Sequence, residues 1–228
     1  MTPLETLAEW RSQVADEDTP YLWSDDQAFR YLIDAQDKFV EWTGGILDST
    51  TAALTDLALI ANSPWAAFSP YVLRFLDRGR LLTAKRDVKF ASKSDIEQIK
   101  VRDYGQWMPL SFDDADVGEV MYAITGLDEN KVRLVRVPAV NDTLRTTVYR
   151  LPFPRIADWD DPLEIPEENH LDLILWMKHR AYGKHDAETY DKALAKESKE
   201  DFKAICEDVR AKKERRQHKP RVVKYGGL

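Results

Sequence analysis

The sequence predicts an α+β fold: an antiparallel-like four-helix bundle, with two N-terminal and two C-terminal helices, a β-rich insertion between the pairs, and an extended C-terminal arm. Three observations predict it. Apolar residues recur at helical spacing near both ends of the chain, behind capping signatures. The middle changes to alternation with a period of two, broken by Gly, Pro and Asp. The charge is also uneven. Residues 209–228 hold eight Lys/Arg and one Glu, or +7, so the net −7 leaves −14 on the other 208 residues. The expected organisation is a helical bundle from residues 1–48 and 163–212, a β-rich inserted domain at 49–162, and an arm at 213–228.

The first helix starts at Thr2-Pro3-Leu4-Glu5. Thr2 can cap, Pro3 suits the first helical position, and Glu5 completes a capping box. Leu4, Leu7 and Val14 share one face, and the polar run Asp16-Glu-Asp-Thr-Pro20 ends the helix. Ser24 and Gln27 form a second capping box. Asp25 and Asp26 favour the positive end of the helix dipole. This second helix should run to about Trp42, with Phe29, Leu32, Ile33, Phe39 and Val40 buried, and stop at Gly44-Gly45.

Leu54, Leu57 and Leu59 favour a strand over a helix. Tyr71 to Leu76 alternates, Asp77-Arg78-Gly79 signals a turn, and Arg80 to Lys85 would return as a strand. A short helix is expected at Ser94. Val120–Thr125, Lys131–Val137 and Leu144–Leu151 read as further strands. Pro138, Pro152 and Pro154 fall near strand ends, where a missing N–H does least harm. Residues 151–166 hold four prolines and the acidic run Asp158-Trp-Asp-Asp161, which marks a loop.

The third helix is expected from Pro166, with Glu167 and Glu168 in its first turn and Gly183 at its end. Asp186 should cap a fourth helix of roughly 25 residues. Its apolar stripe would be Ala187, Tyr190, Leu194, Phe202, Ile205 and Val209.

Composition excludes several function classes. One cysteine, Cys206, rules out an internal disulfide framework and a multi-cysteine zinc site. No apolar run approaches the ~18 residues of a membrane span, and the N-terminus lacks the regions of a signal peptide. Synthesis in a reducing cytoplasm is expected. There is no phosphate-binding glycine loop and no nucleophile elbow. His170, His179, His185 and His218 contain no pair at metal-binding helical spacing. Cys206 reads as a small residue at the edge of a core.

Asp113-Asp-Ala-Asp116 with Gly118-Glu119 hints at a calcium loop but fails the EF-hand pattern. Asp158, Asp160 and Asp161 read as a solvated loop rather than a cation site. Seven tryptophans are informative. Most should anchor cores, but Trp107 and Trp159 fall in irregular, polar stretches and are candidate interface aromatics. The tail reads as a solvated terminus or as an arm that orders on a partner. Arg221-Val222-Val223-Lys224-Tyr225 has the composition of a strand that adds to a partner's sheet edge.

Three stretches carry a family resemblance. One is Val14-Ala15-Asp16 with Pro20-Tyr21-Leu22-Trp23-Ser24-Asp25 and Tyr31-Leu-Ile-Asp-Ala-Gln36. The second is Val148-Tyr149-Arg150-Leu151-Pro152. The third is Ile165-Pro166-Glu167-Glu168-Asn169-His170, with Trp176-Met-Lys-His-Arg-Ala-Tyr182, Asp186-Ala-Glu-Thr-Tyr190 and the tail ending Tyr225-Gly226-Gly227. The chain thereby resembles the head-to-tail adaptor (connector) proteins of short-tailed bacteriophages, the tail-tubular-A-like family. Residues 50–147 match it only in outline.

The resemblance implies a structural virion protein at the head–tail junction, made in the host cytoplasm. It implies a homo-oligomeric ring, usually of twelve copies, that docks under the portal protein and gives the tail nozzle or tube its platform. Genomic double-stranded DNA would pass through the lumen without sequence-specific binding. The arm would reach the portal through Arg215, Arg216, Lys219, Arg221, Val222, Val223, Lys224 and Tyr225. No enzyme activity, cofactor, metal or membrane contact is implied. Two other classes are weighed from the residues: a carboxylate-based hydrolase, and a nucleic-acid-binding protein using the basic tail. An acidic body suits a channel wall better than a phosphate clamp.

Overall fold

Local rules act first. In a computed structural model of the chain, Thr2 Oγ1 accepts from the Glu5 N–H at 3.2 Å, and the Glu5 carboxylate accepts from the Thr2 N–H at 2.9 Å. The capping box seen in the sequence is therefore formed. Ser24 Oγ accepts from the Gln27 N–H at 3.3 Å. The structure describes residues 1–92, 94–95, 100–103, 106–109, 114, 116–184 and 189–217. Contacts divide the chain into two units, Met1–Gly44 with Pro152–Leu228, and Gly45–Leu151.

Among the described residues the helices are α1 (Pro3–Gln13), α2 (Asp25–Trp42), α3 (Ala52–Thr55), α4 (Leu173–Tyr182) and α5 (Lys192–Gln217). The strands are β1 (Ile46–Asp48), β2 (Asp56–Leu59), β3 (Trp65–Ala67), β4 (Val72–Leu81), β5 (Asp87–Ser92), β6 (Lys100–Asp103), β7 (Gln106–Pro109), β8 (Val117–Gly118), β9 (Tyr122–Thr125), β10 (Lys131–Val135), β11 (Val137–Pro138) and β12 (Asp142–Arg150).

The expected four-helix bundle with a β insertion is corrected here. Among the described residues the fold has five α-helices and a large, curled, mixed sheet of eight strands. Two physical reasons stand out. The four longer helices have 11, 18, 10 and 26 residues. At 1.5 Å per residue, the shortest spans roughly 15 Å and the longest roughly 39 Å, so the shortest can accompany the longest over less than half its length, short of the full-length packing of a four-helix bundle. The sheet also contains a parallel pair, β5 with β9, whose crossover carries the β6–β7 hairpin and β8. Alternation marks a strand but does not reveal parallel pairing.

In the helical unit, Phe202 of α5 is fully buried and lies 6.3 Å from Phe39, 5.7 Å from Trp42 and 5.3 Å from Trp176, between ring centroids. Trp10, Trp23 and Tyr182 form a second aromatic chain, at 5.5 and 5.8 Å. Each well-oriented aromatic pair contributes about 0.5–1.5 kcal/mol beyond its buried area.

Several elements start or end away from their expected places. The run after Pro166 begins as tight i→i+3 turns, with Asn169, His170, Asp172, Leu173 and Ile174 all donating three residues back, before α4 takes over. Helix α5 is capped by Asp191, whose Oδ1 accepts from Ala193 and Leu194 N–H at 2.9 and 3.0 Å. The expected cap, Asp186, and Ala187 lie outside the described residues. Tyr190, expected in the stripe, is exposed. The buried positions are Ala195, Ser198, Phe202 and Cys206.

The eight-stranded sheet runs β1-β12-β4-β5-β9-β10-β3, with β2 also on β12. Residues 60–64 join β2, beside β12, to β3 at the far end of the order. Two distant ends tied by so short a link require the sheet to curl. Its interior holds Leu57, Leu81, Val88, Val132, Leu134 and Leu144.

Leu54 belongs to the turn of α3, not to a strand. Strand β4 continues straight through Asp77-Arg78-Gly79, the expected turn. Gly79 serves a different purpose there. A Cβ on it would lie 2.8 Å from Leu144 Cδ1 and 3.0 Å from the Arg145 carbonyl oxygen. Glycine lets β12 pass this close, beside the register shift between Thr146 and Val148. The expected strand 131–137 breaks at Arg136, whose φ is +42°. The short helix expected at Ser94 lies mostly outside the described residues.

Candidate interaction surfaces

The residues that suggested chemistry are dispersed and internally engaged. Cys206 is buried, and burial pushes its thiol pKa up to about 12. It holds almost no thiolate at neutral pH. His170 is buried and its Nε2 meets the Ile165 carbonyl at 3.0 Å. His179 Nδ1 meets the Ala195 carbonyl at 2.9 Å, and burial holds its pKa below the ordinary value. His185 and His218 lie outside the described residues.

In the candidate calcium loop, Asp114 pairs with Arg133, Asp116 with Arg136 and Glu119 with Arg86. These acids are drawn to separate guanidinium groups instead of converging on one point. Asp113 lies outside the described residues. In the loop Asp158-Trp-Asp-Asp161, the Asp161 carboxylate accepts from Ala157 and Asp158 N–H at 2.7 and 3.0 Å. Those bonds lower its pKa. Among the described residues, no group of three or more His, Cys, Asp and Glu side chains could hold a metal. No described helix is long and apolar enough to cross a membrane.

The two candidate interface aromatics have different settings. Trp159 is half-buried and tilts against Phe29 of α2, with ring centroids 4.6 Å apart. Trp107 sits in β7, paired in register with Arg102 of β6.

The segment from Asp16 to Asp25 is organised by one buried cation. Arg11, at the end of α1, donates to Asp16 Oδ2 and Asp25 Oδ1, each at 2.6 Å, and to the Trp23 carbonyl at 3.1 Å. Asp16 also accepts the Leu22 N–H at 2.7 Å. The Arg11 guanidinium lies 3.6 Å from the Tyr21 ring centroid. Tyr21 and Leu22 are thereby held at the surface, on a loop anchored at both ends. The sequence signalled the caps and the proline here, but not the arginine that ties them together.

Helix α5 changes character along its length. Lys196–Glu200, Lys203–Glu207, Asp208–Lys212 and Arg210–Glu214 are surface pairs four residues apart. Lys213 turns inward, and its Nζ donates to Thr43 Oγ1 at 3.1 Å. Burial holds its pKa below the usual lysine value. Arg215 and Arg216 are exposed in the last helical turn, where the helix dipole favours cations. Lys219, Arg221, Val222, Val223, Lys224 and Tyr225 lie outside the described residues.

The sheet unit has a concave surface, aromatic at its floor and polar at its rim, that the sequence reading missed. It occupies about 730 Å³ where β4 parts from the ends of β5 and β9. Phe75 and Phe90 stack at 4.6 Å with planes 5° apart, and Phe68 meets Phe75 edge-on at 5.1 Å. Leu73, Leu76 and Leu127 are exposed around this floor. Asp77, Asp95, Asp128 and Glu129 supply carboxylates to the lining. The alternation of β4 was legible. The antiparallel pairing of β5 with β4, which brings Phe90 to Phe75, was not.

None of the curated proteins compared with the chain matches it. Over residues 1–224, the chain matches the family model described as SU10 adaptor protein. The match runs through the anchored Asp16–Asp25 loop, the curled sheet and the basic end of α5, so this chain belongs to the SU10 adaptor protein family, a family of phage adaptor proteins.

Proposed function

We propose that the protein is a structural head-to-tail adaptor of a short-tailed phage, similar to the tail-tubular-A-like connectors. Copies form a ring, twelve in number, at the head–tail junction of the virion. The ring docks under the portal, extends the channel through which genomic DNA passes, and offers the tail nozzle or tube its platform. The family match over residues 1–224 carries this reading. The charge distribution supports it. Arg215 and Arg216 lead from an ordered helix into a tail with Lys219, Arg221 and Lys224 and no acidic residue after Glu214. Such a segment suits capture by an acidic partner surface. The domain organisation we propose has a helical part, a β-rich part and a C-terminal arm; α5 runs to Gln217, so the arm starts after that residue and not at the expected residue 213.

The test is negative-stain imaging of the protein mixed with its phage's portal ring, beside a portal-free control. A new layer on one end of the portal is expected. Deleting residues 218–228 should weaken that layer more than it lowers the unfolding midpoint. Folded proteins that give no added layer at any concentration would refute the reading.

A further inference from the structure

The groove on the sheet unit needs an occupant with two properties. Its floor of Phe68, Phe75 and Phe90, with Leu73, Leu76 and Leu127 exposed beside it, calls for bulky apolar side chains. Its rim calls for cations. The lining has four carboxylates, Asp77, Asp95, Asp128 and Glu129, against one guanidinium, Arg74, which stacks on Tyr149 at 3.9 Å; Asp95 accepts from Ser92, and Lys131 approaches Asp128 at 3.8 Å, which leaves the rim net acidic. The groove also opens where β4 and β5 diverge. Their pairing stops at Arg78 with Lys89, so strand ends border it.

One segment of this chain has that chemistry. Residues 219–225, Lys-Pro-Arg-Val-Val-Lys-Tyr, hold three cations, no acid and three bulky side chains. Pro220 favours extended backbone around it. In an extended chain, Val223 and Tyr225 fall on one side and can meet an aromatic floor together.

We propose that the groove receives the C-terminal arm of a second copy of this chain. The arm belongs to one unit and the groove to the other, so the donor and acceptor surfaces differ. Such a contact is heterologous and passes head to tail from copy to copy, the type that closes a ring. The choice of a second copy rests on the ring reading above. The groove–arm pairing itself is independent of the portal, and a contact held largely by charge is one that a docking portal can displace.

The test uses full chains and no portal. A chain carrying Leu127→Cys is mixed with a longer, tagged chain carrying Val223→Cys, and a short bis-maleimide is added. The native Cys206 is buried and stays out of the reaction. A mixed dimer band is expected, and it should disappear when Asp128→Lys and Glu129→Lys are added to the Leu127→Cys chain. In parallel, a labelled peptide of residues 217–228 is titrated into the unmodified chain. Saturable binding is expected, weakened roughly tenfold or more by the same two charge reversals. Circular dichroism of each variant separates lost binding from lost fold. Absence of both the mixed dimer and peptide binding overturns the proposal. Cross-linking only within a chain that carries both cysteines overturns the second-copy occupant. Failure of portal docking with the cross-link intact counts against the portal contact alone.

Discussion

Replacing Arg11 with Met should be among the most damaging single changes in the helical unit. Met keeps much of the apolar stem and removes the charge. Arg11 and Asp16 are both buried, with side chains 7% and 2% exposed, whereas Asp25 is 60% exposed. The contact to Asp25 is therefore worth at most about 1 kcal/mol. The contact to Asp16 is different, because its loss strands a buried carboxylate. Breaking one partner of a buried pair costs about 3–5 kcal/mol. The unpartnered Trp23 carbonyl adds to that. For a domain of this size, the sum lowers the unfolding midpoint by roughly 10–20 °C. Thermal unfolding followed by tryptophan fluorescence is suitable, since Trp10 and Trp23 flank the site. Adding Asp16→Asn to Arg11→Met should recover part of the loss, with a coupling of at least about 1.5 kcal/mol. A single-variant loss below about 1 kcal/mol, or strict additivity in the double variant, would refute the argument that Arg11 organises this segment.

Three further outcomes are expected. Burial raises the Asp48 pKa, but hydrogen bonds from Thr51 and Thr50 and from Arg150 outweigh it and leave the carboxyl well below the usual range. Its contribution is therefore complete above the unfolded pKa near 4 and fades as pH falls towards the folded value; urea unfolding against pH should show this slope, and Asp48→Asn should flatten it. Gly79→Ala places a Cβ against Leu144 and the Arg145 carbonyl, so thermal denaturation should show a loss of about 1–3 kcal/mol, part of it restored by Leu144→Ala if the clash is the cause. Cys206, with a pKa raised to about 12 by burial, should react with a chromogenic disulfide reagent only as the protein unfolds; rapid labelling of native protein at pH 8 would contradict its buried position.

Much of the local structure was legible because short-range physics decides it. Thr2 and Glu5 act on one another within a single helical turn, and Ser24 caps α2 through the Gln27 N–H, one half of the expected second box. The glycine pair at 44–45 ended α2 as expected, since both residues adopt positive φ, near +90°. Strands β9, β10 and β12 were readable from alternation. Misreadings arose where a distant partner sets the role of a residue. Gly79 resembles a turn glycine until β12 is seen crossing it. Leu54 and Tyr190 keep their apolar character in any sequence pattern, yet one lies in a turn and the other at the surface. The interaction surfaces divide the same way. The basic cluster through Arg215 and Arg216 was visible as a run of charge, whereas the Phe68–Phe75–Phe90 floor was invisible, its members being 7 and 15 residues apart, with Phe68 just past β3, Phe75 on β4 and Phe90 on β5.

By itself, then, the sequence determined the caps, the periods of the elements, the acidic body with its basic tail, and the family motifs. These depend on neighbours within a few residues or on composition, and neither needs a partner chosen across the fold. Only the tertiary structure decided that eight of the strands curl into one mixed sheet, that Arg11 is the buried centre of the Asp16–Asp25 loop, and that an acidic-rimmed aromatic groove opens beside β4. Each depends on which distant segments meet, and that choice is made by the burial and pairing of the whole chain.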